Sequence, residues 1–147
     1  MRFDSPLVLD TNTVLALWMF RDPGLAGLAT YVAGGHCILL TRPDALEELS
    51  RVLAYRQFAV PPETQAALLT DYRSITRLTA EPAPDAPPLP VCRDRDDQKF
   101  LEIARDGKAT ALLTRDKALL RLARHRLVRD RFAIFTPEAW QIHRLPT

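Results

Sequence analysis

Short apolar runs alternate with segments of helical periodicity along the chain, and this alternation predicts the fold. Four apolar runs have the length of buried strands, at residues 6–9, 36–41, 109–114 and 132–136. The segments with helical character are 13–20, 23–35, 43–56, 61–79, 95–106, 117–125 and 137–143. Strands that alternate with helices form a parallel sheet covered on both faces. We therefore predict an α/β protein, built as a three-layer α/β/α sandwich with a central parallel sheet.

The proline-rich stretch EPAPDAPPLP, at residues 81–90, separates two helical segments. Proline lacks a backbone donor and cannot continue a helix, so this stretch is predicted to be an extended connector. About 57 residues follow it, fewer than most independent domains contain. We therefore predict a single domain over residues 1–147.

Composition narrows the class of protein without identifying it. With 47% hydrophobic and 26% charged residues, the chain has enough apolar surface for a folded core. Its 20 basic and 18 acidic residues nearly balance, so overall charge gives no argument for nucleic acid. Cys37 and Cys92 stand singly among apolar residues, which favours buried thiols in a reducing compartment. Since neither a signal-peptide core nor a run of membrane-span length is found, we expect a cytoplasmic protein without membrane contact.

Two aspartates each follow an apolar strand directly. Asp10 ends the run LVLD, and Asp116 follows the run LLT after one arginine. In parallel sheets, sites form outside the carboxyl ends of the strands. If these two strands are neighbours, both carboxylates emerge at one edge, where their mutual repulsion requires a shared proton or a cation. Oxygen ligands without histidine or cysteine suit Mg²⁺ or Mn²⁺.

A third source of acids is the segment CRDRDDQKFLEIA, in which Asp94, Asp96 and Asp97 precede a helix. Taken alone, this segment is better explained as a helix cap. Asp94 would be the N-cap and Asp97, three positions on, would complete a capping box, while acids in a first turn also favour the helix dipole. A metal-binding role for these acids depends on the other acids nearby.

The fourth source is the pair Glu47 and Glu48, in the predicted helix after the second strand. One of the two should face inward beside Leu49, Val52 and Leu53, and the other should be a solvated surface acid. A single helix glutamate is usually exposed. The choice between Glu47 and Glu48 stays open on these grounds.

Four motifs together resemble a known family. LDTN, EELSRVL, DRDDQKFLEIA and LLTRD are similar in order and spacing to the PIN-domain ribonucleases, specifically to the branch of type II toxin–antitoxin toxins. The resemblance covers nearly the whole chain. It implies that Asp10, Glu48, Asp97 and Asp116 are catalytic, with Asp10, Asp97 and Asp116 as metal ligands. The residues expected to support them are Asn12, Thr114 and Asp94.

The resemblance also implies a function. We expect Mg²⁺- or Mn²⁺-dependent hydrolysis of RNA that leaves a 5′-phosphate and a 3′-hydroxyl. It further implies a homodimer inhibited by a small antitoxin protein, whose arginine would enter the acidic cleft. Two positions depart from the family pattern, since Arg115 stands where glycine is common and Ala118 where another acid is frequent. This departure predicts an altered approach of substrate near residues 115–118.

Basic residues are concentrated after the last predicted acid, between residues 115 and 131. They are Arg115, Lys117, Arg121, Arg124, Arg126, Arg129 and Arg131. A solvated helix face above buried leucines explains such a cluster in most proteins. Its position beside Asp116 favours phosphate contacts, for which Arg115, Lys117 and Arg121 are the candidates. Both interpretations remain open from the sequence.

Two other classes of protein compete with the ribonuclease. A haloacid-dehalogenase-like phosphatase would use an aspartate nucleophile after the first strand, but Asn12 stands where its second aspartate belongs. A non-catalytic nucleic-acid-binding module on the same scaffold would not need the complete set of acids. The ribonuclease is the interpretation that uses all four.

Overall fold

In a computed structural model, the structure describes residues 5–144, which form a five-stranded parallel sheet with helices on both faces. The strands are β1 (Ser5–Leu9), β2 (Cys37–Thr41), β3 (Thr76–Leu78), β4 (Ala111–Leu113) and β5 (Ala133–Phe135). Their order across the sheet is β3-β2-β1-β4-β5. The α/β class and the central parallel sheet are therefore confirmed.

Seven α-helices are found in residues 5–144. They are α1 (Thr11–Trp18), α2 (Ala26–Ala33), α3 (Pro43–Leu53), α4 (Pro62–Ile75), α5 (Gln98–Asp106), α6 (Lys117–Leu120) and α7 (Pro137–Arg144). Short 3₁₀ helices precede α2 at Pro23–Leu25, follow α3 at Arg56–Phe58 and precede α5 at Arg95–Asp97. No helix within this part of the chain combines the length and apolar character needed to cross a bilayer.

The two faces of the sheet bury separate hydrophobic cores, because successive side chains of a strand point to opposite faces. On β1, Leu7 and Leu9 pack with α1, α2, α4 and α7, whereas Val8 packs with α5 and α6. On β4, Ala111 and Leu113 share the first face and Leu112 lies on the second. This division produces the three layers that the sequence predicts.

The predicted helix over residues 61–79 is wrong in its last turn. Helix α4 ends at Ile75, and Thr76–Leu78 forms β3, which pairs with β2 from Leu39↔Thr76 onward. Ile75 and Thr76 are β-branched and lose rotamer freedom in a helix. An extended conformation here also gives hydrogen-bond partners to the open edge of β2. Ile75 and Leu78 are exposed.

Two further helices are shorter than predicted. The segment 43–56 is helical only to Leu53, and 117–125 only to Leu120. After Leu120, i→i+3 hydrogen bonds such as Leu122 N–H to Leu119 O replace the α-helical pattern. These tight turns return Val128, which is fully buried, to the second core. A helix continuing to residue 125 would carry the chain away from that core. The connector at 81–90 contains no helix or strand, as predicted.

Candidate metal centre

The sheet places Asp10 and Asp116 at the same edge. Strands β1 and β4 are parallel neighbours in the register Leu9↔Leu113, and the Asp10 N–H donates to the Leu113 carbonyl at 3.3 Å. Asp10 is the next residue after β1, and Asp116, the N-cap residue of α6, lies three residues after β4. Both residues therefore lie at the same edge of the sheet, but Asp10 is not among the carboxylates that lie close enough together to share one cation.

Asp10 is a buried carboxylate held by hydrogen bonds. It is 5% exposed and caps α1, where its Oδ1 accepts from the backbone N–H of Thr13 at 2.9 Å and from the Thr13 hydroxyl at 2.6 Å. Its Oδ2 accepts from the Thr114 hydroxyl at 2.5 Å. Burial raises the pKa of Asp10, and these hydrogen bonds oppose that rise. The carboxylate is thus fixed in one orientation.

Thr114 links the two acids of this edge. It is fully buried, donates its hydroxyl proton to Asp10, and accepts from the backbone N–H of Asp116 at 2.9 Å. A hydroxyl can donate once and accept twice, so one threonine can serve both neighbours. The sequence placed Thr114 beside the acids, and the structure shows how it joins them.

Three carboxylates come together beside Asp10, and we call Asp94, Asp97 and Asp116 the three-acid group. One oxygen atom from each lies within 4.8 Å of the others, close enough to hold a single cation. Asp97 is partly buried, and its burial, its hydrogen bond with Asp116 and the surrounding negative charges raise its pKa to about 8. The pKa of Asp116 is lowered because Asp97 donates to it. In this hydrogen bond Asp97 is the proton donor and Asp116 the acceptor.

Capping and clustering both contribute to the position of Asp94. Its Oδ1 accepts from the backbone N–H of Asp96 at 3.0 Å, so it caps the 3₁₀ turn before α5 as the sequence predicts. The Asp97 side chain makes no cap hydrogen bond, although Asp97 is the N-cap residue of α5. The proposed reciprocal half of the capping box is absent, and the Asp97 carboxyl meets Asp116 instead.

Glu48, rather than Glu47, faces the site. Its Oε1 lies 2.7 Å from the Lys99 Nζ, and its Oε2 accepts from the Thr11 hydroxyl. The two charged side chains are only 16% and 13% exposed. Thr11 is the residue after Asp10, and Lys99 lies two residues after Asp97. Glu48 therefore contacts residues that are close in sequence to two of the acids. Glu47 is exposed.

Sequence reasoning missed three residues of this site, namely Thr11, Thr13 and Lys99. It considered the acids and overlooked their partners. The pattern DTNT was a usable signal, because a threonine three residues after an N-cap aspartate can donate to it. No comparable signal identified Lys99, whose partner lies 51 positions away. The Lys99 ammonium also donates to the Asp96 carbonyl.

The remaining predicted residues lie farther from the acids or bind elsewhere. Asn12 is exposed, and its side chain has no hydrogen bond to any of the residues 5–144. Arg115 is held by Asp22 at 2.9 Å and by Glu138 at 2.5 Å. Lys117 and Arg121 are exposed. Arg115 would have to leave two carboxylates in order to bind phosphate, whereas the other two basic side chains are accessible.

The chemistry of this edge fits a hard divalent cation. Its donors are carboxylate and hydroxyl oxygens, and the proton between Asp97 and Asp116 occupies a place that a cation can take.

A family model described as PIN domain matches residues 6–118. The chain belongs to the PIN-domain family. That match includes all four predicted catalytic acids, and PIN domains are generally nucleases that use divalent metals. No curated protein matches this PIN domain significantly.

Proposed function

We propose that this PIN domain is a Mg²⁺- or Mn²⁺-dependent ribonuclease. The observation that carries the proposal is the three-acid group, gathered at the carboxyl edge of the sheet beside the buried Asp10. Like charges at such distances repel unless a proton or cation lies between them. A protein that needed these acids only for helix capping would have no reason to bring them together.

Asp97 and Asp116 would bind the cation directly, with Asp94 completing the three-acid group. Asp10 would act directly or through a water, since its oxygens already accept three hydrogen bonds. When bound, the cation supplies a coordinated water of lowered pKa and stabilises negative charge on the phosphate. The residues of the chain fix its position, because Thr13 and Thr114 orient Asp10.

Glu48 and Lys99 would act on the same substrate from the side of α3 and α5. Lys99 holds the Glu48 carboxylate in place through the 2.7 Å ion pair. The ammonium has three donors, of which Glu48 and the Asp96 carbonyl use two. The third can bind a phosphate oxygen. Lys117 and Arg121 would neutralise neighbouring phosphates.

The substitution Asp116→Asn tests this proposal. It removes one charge from the three-acid group while keeping the side-chain oxygen that caps α6 through Ala118 N–H at 2.7 Å. Asp130→Asn, at an exposed position outside the site, is the matched control. We expect wild type and the control to cut RNA in Mg²⁺ or Mn²⁺, to spare it in EDTA, and Asp116→Asn to lose at least about a hundredfold in kcat.

Equal cleavage by folded Asp116→Asn and wild type would contradict the proposal and indicate a contaminating nuclease. RNA binding without cleavage by wild type in Mg²⁺ and in Mn²⁺ would favour the non-catalytic nucleic-acid-binding module. The phosphatase alternative requires Asp10 as a nucleophile. Its burial and its three hydrogen bonds disfavour that role.

The biological role we propose is that of a toxin in a type II toxin–antitoxin pair. The support is the resemblance of the motifs together with an acidic cleft able to receive an arginine of a small antitoxin. Expression of the chain alone should arrest growth, and coexpression with the gene immediately upstream should relieve the arrest. A soluble, active ribonuclease that neither arrests growth nor copurifies with its neighbour as a complex would remove this role. Size measurement of the purified protein tests the homodimer.

A further inference from the structure

Three aromatic side chains form a connected surface at the far end of α1, and we call Phe20, Tyr55 and Phe58 the aromatic platform. The rings of Phe20 and Phe58 meet edge to face at 5.7 Å, and those of Tyr55 and Phe58 stack at 6.2 Å with an interplanar angle of 15°. Phe20 is 58% exposed and Tyr55 is 45% exposed. Phe58 anchors the platform, because it is partly buried against the first core.

A groove of about 460 Å³ opens beside the aromatic platform. It lies between the end of α1, the 3₁₀ helix at Arg56–Phe58 and the start of α4. Its walls are mostly apolar and include the rings of Trp18, Phe20 and Phe58. The polar side chains among them are those of Arg21, Gln57 and Thr64. A flat apolar surface next to amide, guanidinium and hydroxyl groups matches the two features of a nucleobase, its ring face and its polar edge.

The charge of this surface is positive. Arg21 and Arg56 are exposed, and neither forms an ion pair with any residue between 5 and 144. The residues that line the groove include no acid. Arg21 also has a left-handed backbone, with φ of 49°, and Ala59 on the opposite wall has φ of 50°. Such backbones are uncommon outside glycine and are held in place by the surrounding structure.

We propose that the aromatic platform and its groove bind unpaired nucleobases of single-stranded RNA. The proposal rests on the ribonuclease function and names the form of its substrate. Every base has a π face, so stacking on aromatic rings tolerates any sequence. Arg21 and Arg56 bind the backbone phosphates, and Gln57 can hydrogen-bond to a base edge. In a duplex the bases are stacked on one another and cannot reach the rings.

The aromatic platform is linked to the acidic edge in two ways. Helix α1 begins directly after Asp10, and at 1.5 Å per residue Phe20 lies about 15 Å along the chain from it. The segment after Phe20 is also fastened beside Asp116, because Asp22 pairs with Arg115 at 2.9 Å. A single strand a few nucleotides long can therefore contact the platform and the acids together.

A peptide partner is the other occupant that an exposed aromatic surface could have. The observations favour RNA, because the exposed rings of Phe20 and Tyr55 are each followed by an exposed arginine and no acid lines the groove. Apolar patches on monomers mark interaction sites of either kind, so binding must be measured directly.

Fluorescence anisotropy with labelled oligoadenylate and oligouridylate in EDTA tests the proposal without cleavage. The substitutions are Phe20→Ala and Tyr55→Ala, with Tyr55→Phe as the variant that keeps the ring. Ile142→Ala, at an even more exposed apolar side chain on α7, is the control. We expect each alanine variant to weaken single-strand binding about tenfold, or by about 1.4 kcal/mol, because a base loses its stacking surface. The Tyr55→Phe and Ile142→Ala variants should bind as wild type does.

Duplex RNA of the same length should bind less tightly than the single strand, and the alanine variants should not alter its affinity. In Mg²⁺, Tyr55→Ala should raise KM for single-stranded RNA about tenfold and leave kcat unchanged, because the platform does not touch the reacting phosphate.

Unchanged single-strand affinity in both folded alanine variants would overturn the proposal, while the ribonuclease function would stand if RNA is still cut. Failure of wild type to bind or cut any RNA would overturn the ribonuclease function itself. Unchanged RNA affinity together with loss of a dimer or of a protein complex would assign the aromatic platform to protein contact instead.

Discussion

Divalent-cation binding by this PIN domain should release a proton. In the metal-free protein, burial and the neighbouring acids raise the pKa of Asp97 to about 8, and its proton is shared with Asp116. A cation that binds the three-acid group needs both carboxylates ionised, so it competes with this proton. The perturbation to apply is therefore a change of pH across the range in which Asp97 titrates.

The magnitude follows from the raised pKa. At pH 7, one unit below a pKa of about 8, only about a tenth of the Asp97 carboxyls are ionised. Mg²⁺ should then bind about tenfold more weakly than at high pH, a difference of about 1.4 kcal/mol. The affinity should rise about tenfold per pH unit at low pH and level off above about pH 8.

Titration calorimetry in two buffers of different ionisation enthalpy counts the protons released. We expect about one proton per Mg²⁺ at about pH 6.5 and almost none at about pH 9. Asp97→Asn should bind Mg²⁺ weakly and without this pH dependence, since the titrating carboxyl is gone. Asp130→Asn, at an exposed position, should behave as wild type does.

One result would refute this reasoning. Loss of Mg²⁺ binding in Asp116→Asn would show that the three-acid group is the site. If the wild type nevertheless binds Mg²⁺ equally well at all pH values and releases no proton, Asp97 is already ionised before the cation binds. The shared proton would then have no part in compensating the charge of this edge.

Three further predictions address Glu48, the stability of the metal-free protein and Gly107. Glu48→Gln loses the charge that pairs with Lys99; kcat for RNA should fall at least about tenfold, while Glu47→Gln, altered at the exposed neighbour, should leave it unchanged. A raised Asp97 pKa stabilises the protonated folded state, so the melting temperature of the metal-free protein should fall as pH rises from about 6 to about 9, and Mg²⁺ should oppose the fall. A Cβ at Gly107 would lie 2.4 Å from Leu40 Cδ1. Gly107→Ala should therefore cost about 1–3 kcal/mol in chemical denaturation, and an unchanged midpoint would show that Leu40 can move away.

The periodicity of the sequence was sufficient for the sheet and most helices because burial decides them. Strands β1 and β4 are buried on both faces and are flanked by amphipathic segments, so their apolar runs had one interpretation. Strand β3 differs, since its Thr76–Leu78 sequence is short and largely exposed. Its conformation depends on the open edge of β2, a tertiary feature that no local pattern contains.

The residues of the candidate site also divide into those that the sequence could place and those that depend on tertiary contacts. Asp10 and Asp116 could be placed at one edge from topology alone, because each follows a strand of a parallel sheet. The family resemblance had already indicated Glu48 rather than Glu47, but periodicity had not. The contact of Glu48 with Lys99 could not be predicted, because Lys99 lies on another helix. The sequence also could not decide whether Asp94 caps a helix or belongs to the acidic site. In the structure it does both, because it accepts a capping hydrogen bond and lies near the Asp97 carboxyl.

The acidic edge compensates its negative charges in three different ways, and the differences indicate where a cation would bind. Three donors from two threonines satisfy Asp10, and an internal ammonium neutralises Glu48. Both arrangements use groups that belong to the fold and would be costly to remove. Only Asp97 and Asp116 depend on a proton, which solvent can take up without moving the chain. The pair compensated by an exchangeable ion is therefore the pair at which a metal can replace that ion while the rest of the edge stays fixed.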